Sequence, residues 1–500
     1  MALHVVPFTS IHRSRLATRR IRPADASASD ASAASLNSLF VMRTLFLLLL
    51  LILGLPAVGQ QCIRFDEPDL SRMPLLSRTV SIDRRDGIHY TAYANDDELR
   101  ALEALGYSYT VVPPDLQPKA LGMATTLDDM RRWQSYPTYD VYVEMMHDFV
   151  LRYPHLCSLD TIGTTVQGRQ LLAVHLFNRS TPSLDALPQF FYTSTMHGDE
   201  LTGYYLLLRL IDTLLAGYET NPLYHSLLNS VDVCINPLAN PDGTYLGGNN
   251  TVARSQRYNA NNVDLNRNFP DPFGTAPFYA RQPEVQAMMD YAERNHFLVS
   301  ANLHGGSEVL NYPWDSFTSF ERPHPDEAWW KAVCQRFIDT LRLFSTTHFT
   351  DENDSGYIAG GDWYVISNGR QDYMNYYHDC REMTMELSVT KRLPSEQLDT
   401  YWRMLQRPMV NYIREVLALA PTTPTPATPA AAQLTLSPNP TDAWLHLSSA
   451  DPSQPVRLYD LRGHALLTFP AGTERLDLRS LPSGIYLIRV GDVVRKVVRR

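Results

Sequence analysis

Three side chains able to hold a metal stand in two short segments. His197 and Glu200 belong to the run His197-Gly198-Asp199-Glu200, which follows the apolar stretch FFYTST and opens LTGYYLLLRLIDTLL. His304 lies about a hundred residues later, in VSANLHGGS. Two imidazole nitrogens and one carboxylate are the ligand set of a catalytic zinc, one ion with a coordination position left open for water. Both segments read as a buried strand running into a turn, and strand ends are where open α/β sheets place their ligands. His-x-x-Glu by itself is a weak signal, because a polar turn residue capping the next helix has the same look. Its weight comes from the residues that accompany it.

The segment RYNANNVDLNRNFPD brings Arg257, Asn266 and Arg267 close together. Two guanidiniums and an amide suit an anion such as a carboxylate, because arginine presents a planar fork of donors. A solvated Asn/Arg loop would look similar. REMTMELS alternates, with Glu382 and Glu386 on one face and Met383, Met385 and Leu387 on the other. A glutamate inside an apolar strand is costly to bury without a partner or a task, although an exposed strand edge would tolerate it. DWYVISNGRQDYMNYY reads as a polar, tyrosine-rich loop and a candidate mobile lid.

Composition narrows the classes. A net charge of -9 and a pI near 5.9 argue against nucleic acid as the main partner. At 44% hydrophobic and 10% aromatic the chain is globular. Its 27 tyrosines hint at an extracytoplasmic protein with an aromatic-lined cleft. MRTLFLLLLLILGLPAVGQQ, from Met42, has the basic start, apolar core and small residues of a secretory signal over 42–59. It is too short for a comfortable membrane span, so no stable transmembrane segment is expected after its removal. Residues 1–41 are Ser/Ala/Arg-rich and read as an extension outside the fold. The five cysteines form no CxxC pair; export makes one or two disulfides possible and leaves at least one thiol over.

The elements that must position the candidate residues are legible. Residues 60–125 form a small α+β unit, with TVSIDRR and YSYTVVPP as strands around the helix DDELRALEALG. A pro-segment or an accessory module would both fit it. From 126 to 419 helices alternate with the strands LLAVHLF, FFYTST, VDVCINPL and FLVSANLHG, the pattern of an α/β sheet. YDVYVEMMHDFVLRYP is an amphipathic helix that stops at Pro154. APTTPTPATPAAA, residues 420–432, is an extended linker, and 433–500 hold short alternating strands broken by turns, a small β-sandwich.

In combination, HGDE, DLNRNF, NLHGGS, WY and ELS resemble the zinc metallocarboxypeptidases of the funnelin (M14) type, nearest the branch of carboxypeptidases D, E, M and N. The resemblance implies a mixed eight-stranded sheet with helices on both faces. It implies His197, Glu200 and His304 as zinc ligands and Arg257 as the arginine that polarises the scissile carbonyl. Asn266 and Arg267 match the pair that grips a C-terminal carboxylate. Tyr364 matches the tyrosine that closes over substrate, and Glu386, twenty-two residues on, the catalytic glutamate. Asp315, with Gln371 and Gly360, matches the branch's pocket for basic side chains, so C-terminal Lys or Arg is the expected substrate end. SFTSFERPHPDEAWW departs from the family's usual segment, and the branch's transthyretin-like companion domain is not evident.

LSPNPTDAWLHL, LYDLRGH, LPSGIYLIRV and the basic end VVRKVVRR resemble the sorting domain of the type IX secretion system. This implies the type IX machinery as a partner and secretion or surface display by a Gram-negative bacterium of the Bacteroidetes group. The leading expectation is an exported exopeptidase acting on peptide or protein C-termini. The alternatives are an amidase or peptidase on peptidoglycan stems and an inactive binding protein on the same fold. The last would be expected to lack Glu386 or a metal ligand, and neither is missing.

Overall fold

The computed structural model of the chain describes residues 60–113, 121–180, 187–272, 275–350, 355–419, 434–448, 454–460, 465–490 and 493–500. The extension, the signal segment and the linker lie outside the described residues. No helix among the described residues is long and apolar enough to cross a membrane.

Residues 61–111 run β1 (Gln61–Asp66), a helix Met73–Thr79, β2 (Ser81–Asp86), β3 (His89–Ala94), a helix Asp96–Ala104 and β4 (Thr110–Val111). The strands form one sheet in the order β2-β3-β1-β4, with β2 on an edge. The expected helix is present, and its start is set by a capping box. The Asn95 side chain accepts from the Glu98 backbone, and Glu98 reaches back to the Asn95 N–H. The strands QCIRFD and HYTAYA add to those read from the sequence. Between Ile82 and Arg84 the β2–β3 register shifts, a bulge that leaves Asp83 out of the pairing.

A short pair, β5 (Met123–Ala124) and β6 (Tyr136–Pro137), leads into the large sheet. That sheet holds β7 (Cys157–Thr164), β8 (Gln170–Leu176), β9 (Gln189–Ser194), β10 (Asp232–Asn236), β11 (Phe297–His304), β12 (Glu308–Tyr312), β13 (Tyr357–Ala359) and β14 (Arg381–Leu387). Its order is β13-β12-β14-β11-β9-β10-β8-β7, eight strands of mixed direction. The central four, β14, β11, β9 and β10, are mutually parallel, so their carboxyl ends emerge side by side. Alternation along β14 sends Met383, Met385 and Leu387 into the larger core, with the helices Tyr139–Arg152, Thr202–Ala216 and Leu398–Ile413. The opposite face packs on the helix Pro283–Arg294. The C-terminal strands are β15 (Thr435–Ser437), β16 (Trp444–Ser448), β17 (Val456–Tyr459), β18 (Ala465–Phe469), β19 (Arg475–Asp477), β20 (Gly484–Val490) and β21 (Val493–Arg499), and they form two antiparallel sheets, β15-β16-β19 and β18-β17-β20-β21.

Three expectations are corrected. The tyrosines are chiefly core residues: Tyr136, Tyr192 and Tyr412 are buried and spend their hydroxyls on the carbonyls of Leu393, Met409 and Ser300. All five cysteines are buried free thiols, so no disulfide forms among them. Half of the expected loop is a helix, Arg370–His378, whose first residues Arg370 to Met374 are buried. Polarity misled there because the buried side is itself polar. Arg370 and Glu382 are both fully enclosed and pair at 2.9 Å, with Ser300 donating to the same Glu382 oxygen.

Removing one member of such a pair strands a buried charge. Arg370→Met should cost about 3–5 kcal/mol in denaturant unfolding, and Arg370→Met combined with Glu382→Gln should recover most of it.

Candidate active site

The chain leaves β9 through Thr195, which has φ of 58°, a strained value for a β-branched residue. Its hydroxyl donates to the Glu200 carbonyl at 3.0 Å and helps hold the turn that presents His197 and Glu200. Gly198 has no alternative here, since a Cβ would sit 2.4 Å from the Gly243 backbone. His304 ends β11, and its register partner on β14 is Glu386.

His197 Nδ1 lies 3.0 Å from Glu200 Oε1, and His304 Nδ1 lies 2.8 Å from Glu200 Oε2. The two Nδ1 atoms face each other at 3.0 Å, and the three ligand atoms lie within 4.8 Å of one another. Two ring nitrogens and a carboxylate converging on one point suit a cation better than any shared proton. The outer ring nitrogens are held from behind: His197 Nε2 is 3.1 Å from Asp264 Oδ1, and His304 Nε2 is 2.7 Å from the Asn302 amide. Such contacts set which nitrogen faces the metal. The donor set therefore fits zinc, through His197, Glu200 and His304.

Asp264 also accepts from the Asn266 N–H at 2.8 Å and from Arg257 Nε at 3.1 Å. Burial opposes its charge, but Arg257 and His197 outweigh that and hold its carboxyl well below the usual range. Asn266 Oδ1 accepts from the Arg370 N–H at 2.9 Å, at the start of the Arg370–His378 helix. Arg267 Nη1 donates to the Asn266 carbonyl, while its buried Nε has no partner among the described residues. Asp315 is buried beside them. Asp372 accepts the N–H groups of Asp315 and Ser316, and Gln371 Nε2 donates to Asp315 Oδ1 at 2.7 Å. A Cβ at Gly360 would meet that same oxygen at 2.0 Å, so only glycine leaves the carboxylate room. Burial first, then Asp372, raises the Asp315 carboxyl well above its ordinary value. Burial and the Glu200 charge do the same to Glu386.

One cleft is thus lined by His197, Glu200, His304, Arg257, Asn266, Arg267, Asp315, Tyr364 and Glu386, with Gln371 and Gly360 in contact with Asp315. These are the residues given a site role from the sequence; Glu382, read beside Glu386, lies elsewhere and pairs with Arg370. Four more residues meet there that the sequence reading had missed: Asp264, Lys391, Ser81 and Asp83. Asp264 stands in DLNRNF and could have been found as a carboxylate among cations. Lys391, just beyond β14, lies 3.5 Å from Glu200 Oε1. Ser81 and Asp83 come from β2 and gave no local signal.

A sheet that gathers a zinc-fitting triad, two buried arginines and a buried glutamate at its parallel carboxyl ends has the make-up of a metallopeptidase. The chain belongs to the zinc carboxypeptidase family, whose model matches residues 142–407, more than half its length. Residues 435–500 match the secretion system C-terminal sorting domain. Among curated relatives, carboxypeptidase SOL1 of Arabidopsis thaliana is 34% identical over 296 residues, covering 57% of this chain and 56% of that protein. Carboxypeptidase M of Mus musculus is 33% identical over 274 residues, 53% of this chain and 62% of that one. Mouse carboxypeptidase D is 30% identical over 294 residues, 56% of this chain but 21% of its own length. The chain therefore spans between about a fifth and three-fifths of these relatives. The crystal structure of thrombin activatable fibrinolysis inhibitor shares the fold, with a TM-score of 0.54 at 15% identity over 72% of this chain and 99% of that one. Carboxypeptidase A from Helicoverpa armigera is similar at 0.54 and 16%, over 74% and 100%.

Asp264→Asn should weaken zinc binding by about 10–100-fold, because the His197 ring loses its orienting carboxylate; competition with a chelator measures it. A second test concerns Glu98, buried where residues 61–111 meet the Arg257 loop. The single proton of Tyr258 faces both Glu98 Oε2 at 2.8 Å and the Tyr93 carbonyl at 2.9 Å. The Asn95 N–H also faces the carboxyl, and Asp264 and Arg257 act on it from further away. Burial above all pushes Glu98 up from 4.5 to about 8, so the folded contact favours the neutral acid. That stabilisation is complete below pH 4.5 and is lost as pH rises through about 8. Thermal unfolding followed across this window should show a decline that Glu98→Gln flattens.

Proposed function

We propose that the chain is an exported zinc-dependent carboxypeptidase that cleaves the last peptide bond of peptides ending in Lys or Arg. The observation that carries this reading is the shared cleft, in which a zinc-fitting triad, a buried glutamate, an anion-binding Asn-Arg pair and a buried aspartate face one another. His197, Glu200 and His304 would hold the zinc, which when bound supplies a Lewis acid for water and for the peptide carbonyl.

The chain's own groups do the rest. Glu386, kept protonatable by burial, takes a proton from water as the oxygen attacks the carbonyl carbon, then passes it to the leaving amine nitrogen. Arg257 aims guanidinium N–H groups at the carbonyl oxygen as its negative charge grows. Asn266 and Arg267 hold the terminal carboxylate, with the unpartnered Arg267 Nε as a ready donor. An internal bond offers no carboxylate there, which makes the enzyme an exopeptidase. Tyr364 closes the cleft against water. Asp315, held by Gln371, meets the cationic side chain of the last residue; an arriving guanidinium or ammonium favours the ionised form that burial disfavours. The sorting-domain match at 435–500 and the signal-like segment at 42–59 support export by a type IX system in a Bacteroidetes-like bacterium.

The test is hydrolysis of acyl dipeptides ending in Arg, Lys, Phe, Leu or Glu, with and without a zinc chelator. Chelator-sensitive release of Arg and Lys is expected. Release of Phe or Leu instead would discard Asp315 as the anchor, and release only from peptidoglycan stem peptides would replace the substrate class. Glu386→Gln should lower kcat by about 10²–10⁴-fold while zinc content stays unchanged. Arg267→Ala should raise KM more than it lowers kcat.

A further inference from the structure

Two carboxylates stand together at the Asp315 end of the cleft without a counter-ion. Asp315 and Asp372 are both buried. Asp372 accepts the Asp315 N–H through Oδ1 and the Ser316 N–H through Oδ2, each at 2.9 Å, so the second carboxylate braces the backbone that carries the first. The side-chain donors that reach Asp315 are neutral amides. Gln371 Nε2 donates at 2.7 Å, and its orientation is set because Gln371 Oε1 accepts the Thr384 N–H at 2.6 Å. The Asn311 side chain is the other donor. Among the described residues no cation pairs with either carboxylate. Arg267 acts on Asp315 from beyond pairing distance, and Arg370 is spent on Glu382. Glu382 and Asp271 add negative charge near Asp315 and Asp372 respectively. Other buried carboxylates here are better served: Glu200 and Asp264 face Arg257 at 3.3 and 3.1 Å, and Glu382 faces Arg370 at 2.9 Å.

A buried charge without a counter-ion is costly, and two neighbouring ones of the same sign cost more. Without a guest cation, the pair is therefore more stable holding a proton than carrying two negative charges. Burial pushes Asp372 up to about 6 against its N–H donors, and burial followed by the Asp372 charge raises Asp315 well above its usual range. A guanidinium keeps its charge at every working pH and reverses this balance. Once it faces Asp315, the ionised carboxylate becomes the favoured form.

We propose that binding of a C-terminal arginine at Asp315 expels a proton from the Asp315–Asp372 pair, and that Asp372 is the positioning residue that sets how tightly this proton is held. The O–H bond of the acid breaks, its electron pair stays on the carboxylate, the proton passes to solvent, and the guanidinium becomes the counter-ion. Preference for arginine is then linked to pH: while the pair holds its proton, each unit of rise strengthens arginine binding about tenfold, and beyond that range binding levels off. This rests on the carboxypeptidase reading, with Asp315 as the anchor, and the experiment separates the two. Acetyl-Ala-Arg is compared with acetyl-Ala-citrulline, which has nearly the same shape and no charge, on the zinc-loaded full chain carrying Glu386→Gln. Calorimetry between about pH 5 and about pH 8, in two buffers of different ionisation enthalpy, counts the protons released. Protons moved by the terminal carboxylate, the metal or Tyr364 are common to both peptides and drop out of the difference. At the acid end arginine should release about one proton more than citrulline, and the ratio of the two affinities should rise about tenfold per pH unit. Asp372→Asn should move that rise to lower pH by about one unit, which a merely structural loss would not do, and Asp315→Asn should abolish it. If Asp372→Asn does not fold, the peptide comparison with the pair intact and in Asp315→Asn still decides whether a proton is expelled. An arginine preference that is the same at every pH, with no extra proton, overturns the proposal and leaves Asp315 as the anchor. A rise that Asp372→Asn leaves in place sinks the role of Asp372. Equal affinity for both peptides removes the anchor, and binding of neither removes the carboxypeptidase reading; the proposal falls with either.

Discussion

Asp264 is the carboxylate on which the site depends. One of its oxygens faces His197 and the Asn266 N–H, and the other faces Arg257 and Ser81. In a buried place of low dielectric, each of these contacts is stronger than it would be in water, and each would be expensive to leave unmade. A single ionised group thereby orients the His197 ring, fixes the Arg257 guanidinium and pins the loop that carries Asn266 and Arg267. His197 and the Arg257–Arg267 segment lie about sixty residues apart in the chain, and this carboxylate ties their positions together.

The sheet supplies the platform. Parallel β9, β11 and β14 end at the same level, so His197, His304 and Glu386 are neighbours without any loop having to reach across the molecule. The helix Arg370–His378 then does two jobs from one end. The Arg370 backbone N–H holds Asn266, and Gln371 joins Asp315 to the backbone of Thr384 on β14. Beneath it the enclosed Arg370–Glu382 pair anchors the helix to the sheet. Asn266 and Asp315 therefore share one support, the start of this helix, which fixes their positions relative to each other.

Ion pairs tie residues 61–111 to the charged groups of the cleft. Around the metal ligands the protein buries Arg257, Arg267 and Lys391 together with Asp199, Glu200, Asp264 and Glu386. Asp199 has no hydrogen-bond partner for either oxygen among the described residues, and its environment includes the Lys391 and Arg257 charges. Asp83 adds an anion beside Arg257 and Lys391. Arg257 and Lys391 each face Asp83 on one side and Glu200 on the other, so the buried charges are paired and not stranded.

Much of the site was legible because its chemistry is local in sequence. HGDE, DLNRNF, NLHGGS and ELS each pair a reactive side chain with the strand or turn that carries it, and period-2 alternation in REMTMELS already separated Glu386 from its apolar neighbours. The apolar runs likewise marked the central strands, since a strand buried on both faces has little alternative composition. Other features depended on distance. The helix Arg370–His378 looked like a loop because its buried side is polar, and only Glu382, Thr193 and Asn266, brought from other elements, make that burial acceptable. The tyrosines became core because carbonyls elsewhere in the fold accept their hydroxyls. Asp83 and Lys391 are separated by about three hundred residues, and neither had a neighbour in sequence to announce a partner. The sequence alone determined which groups could do chemistry and which strands would carry them. The tertiary structure decided which charges meet, because electrostatic pairing in a buried cleft depends on spatial distance and on desolvation, and neither is written in the local order of residues.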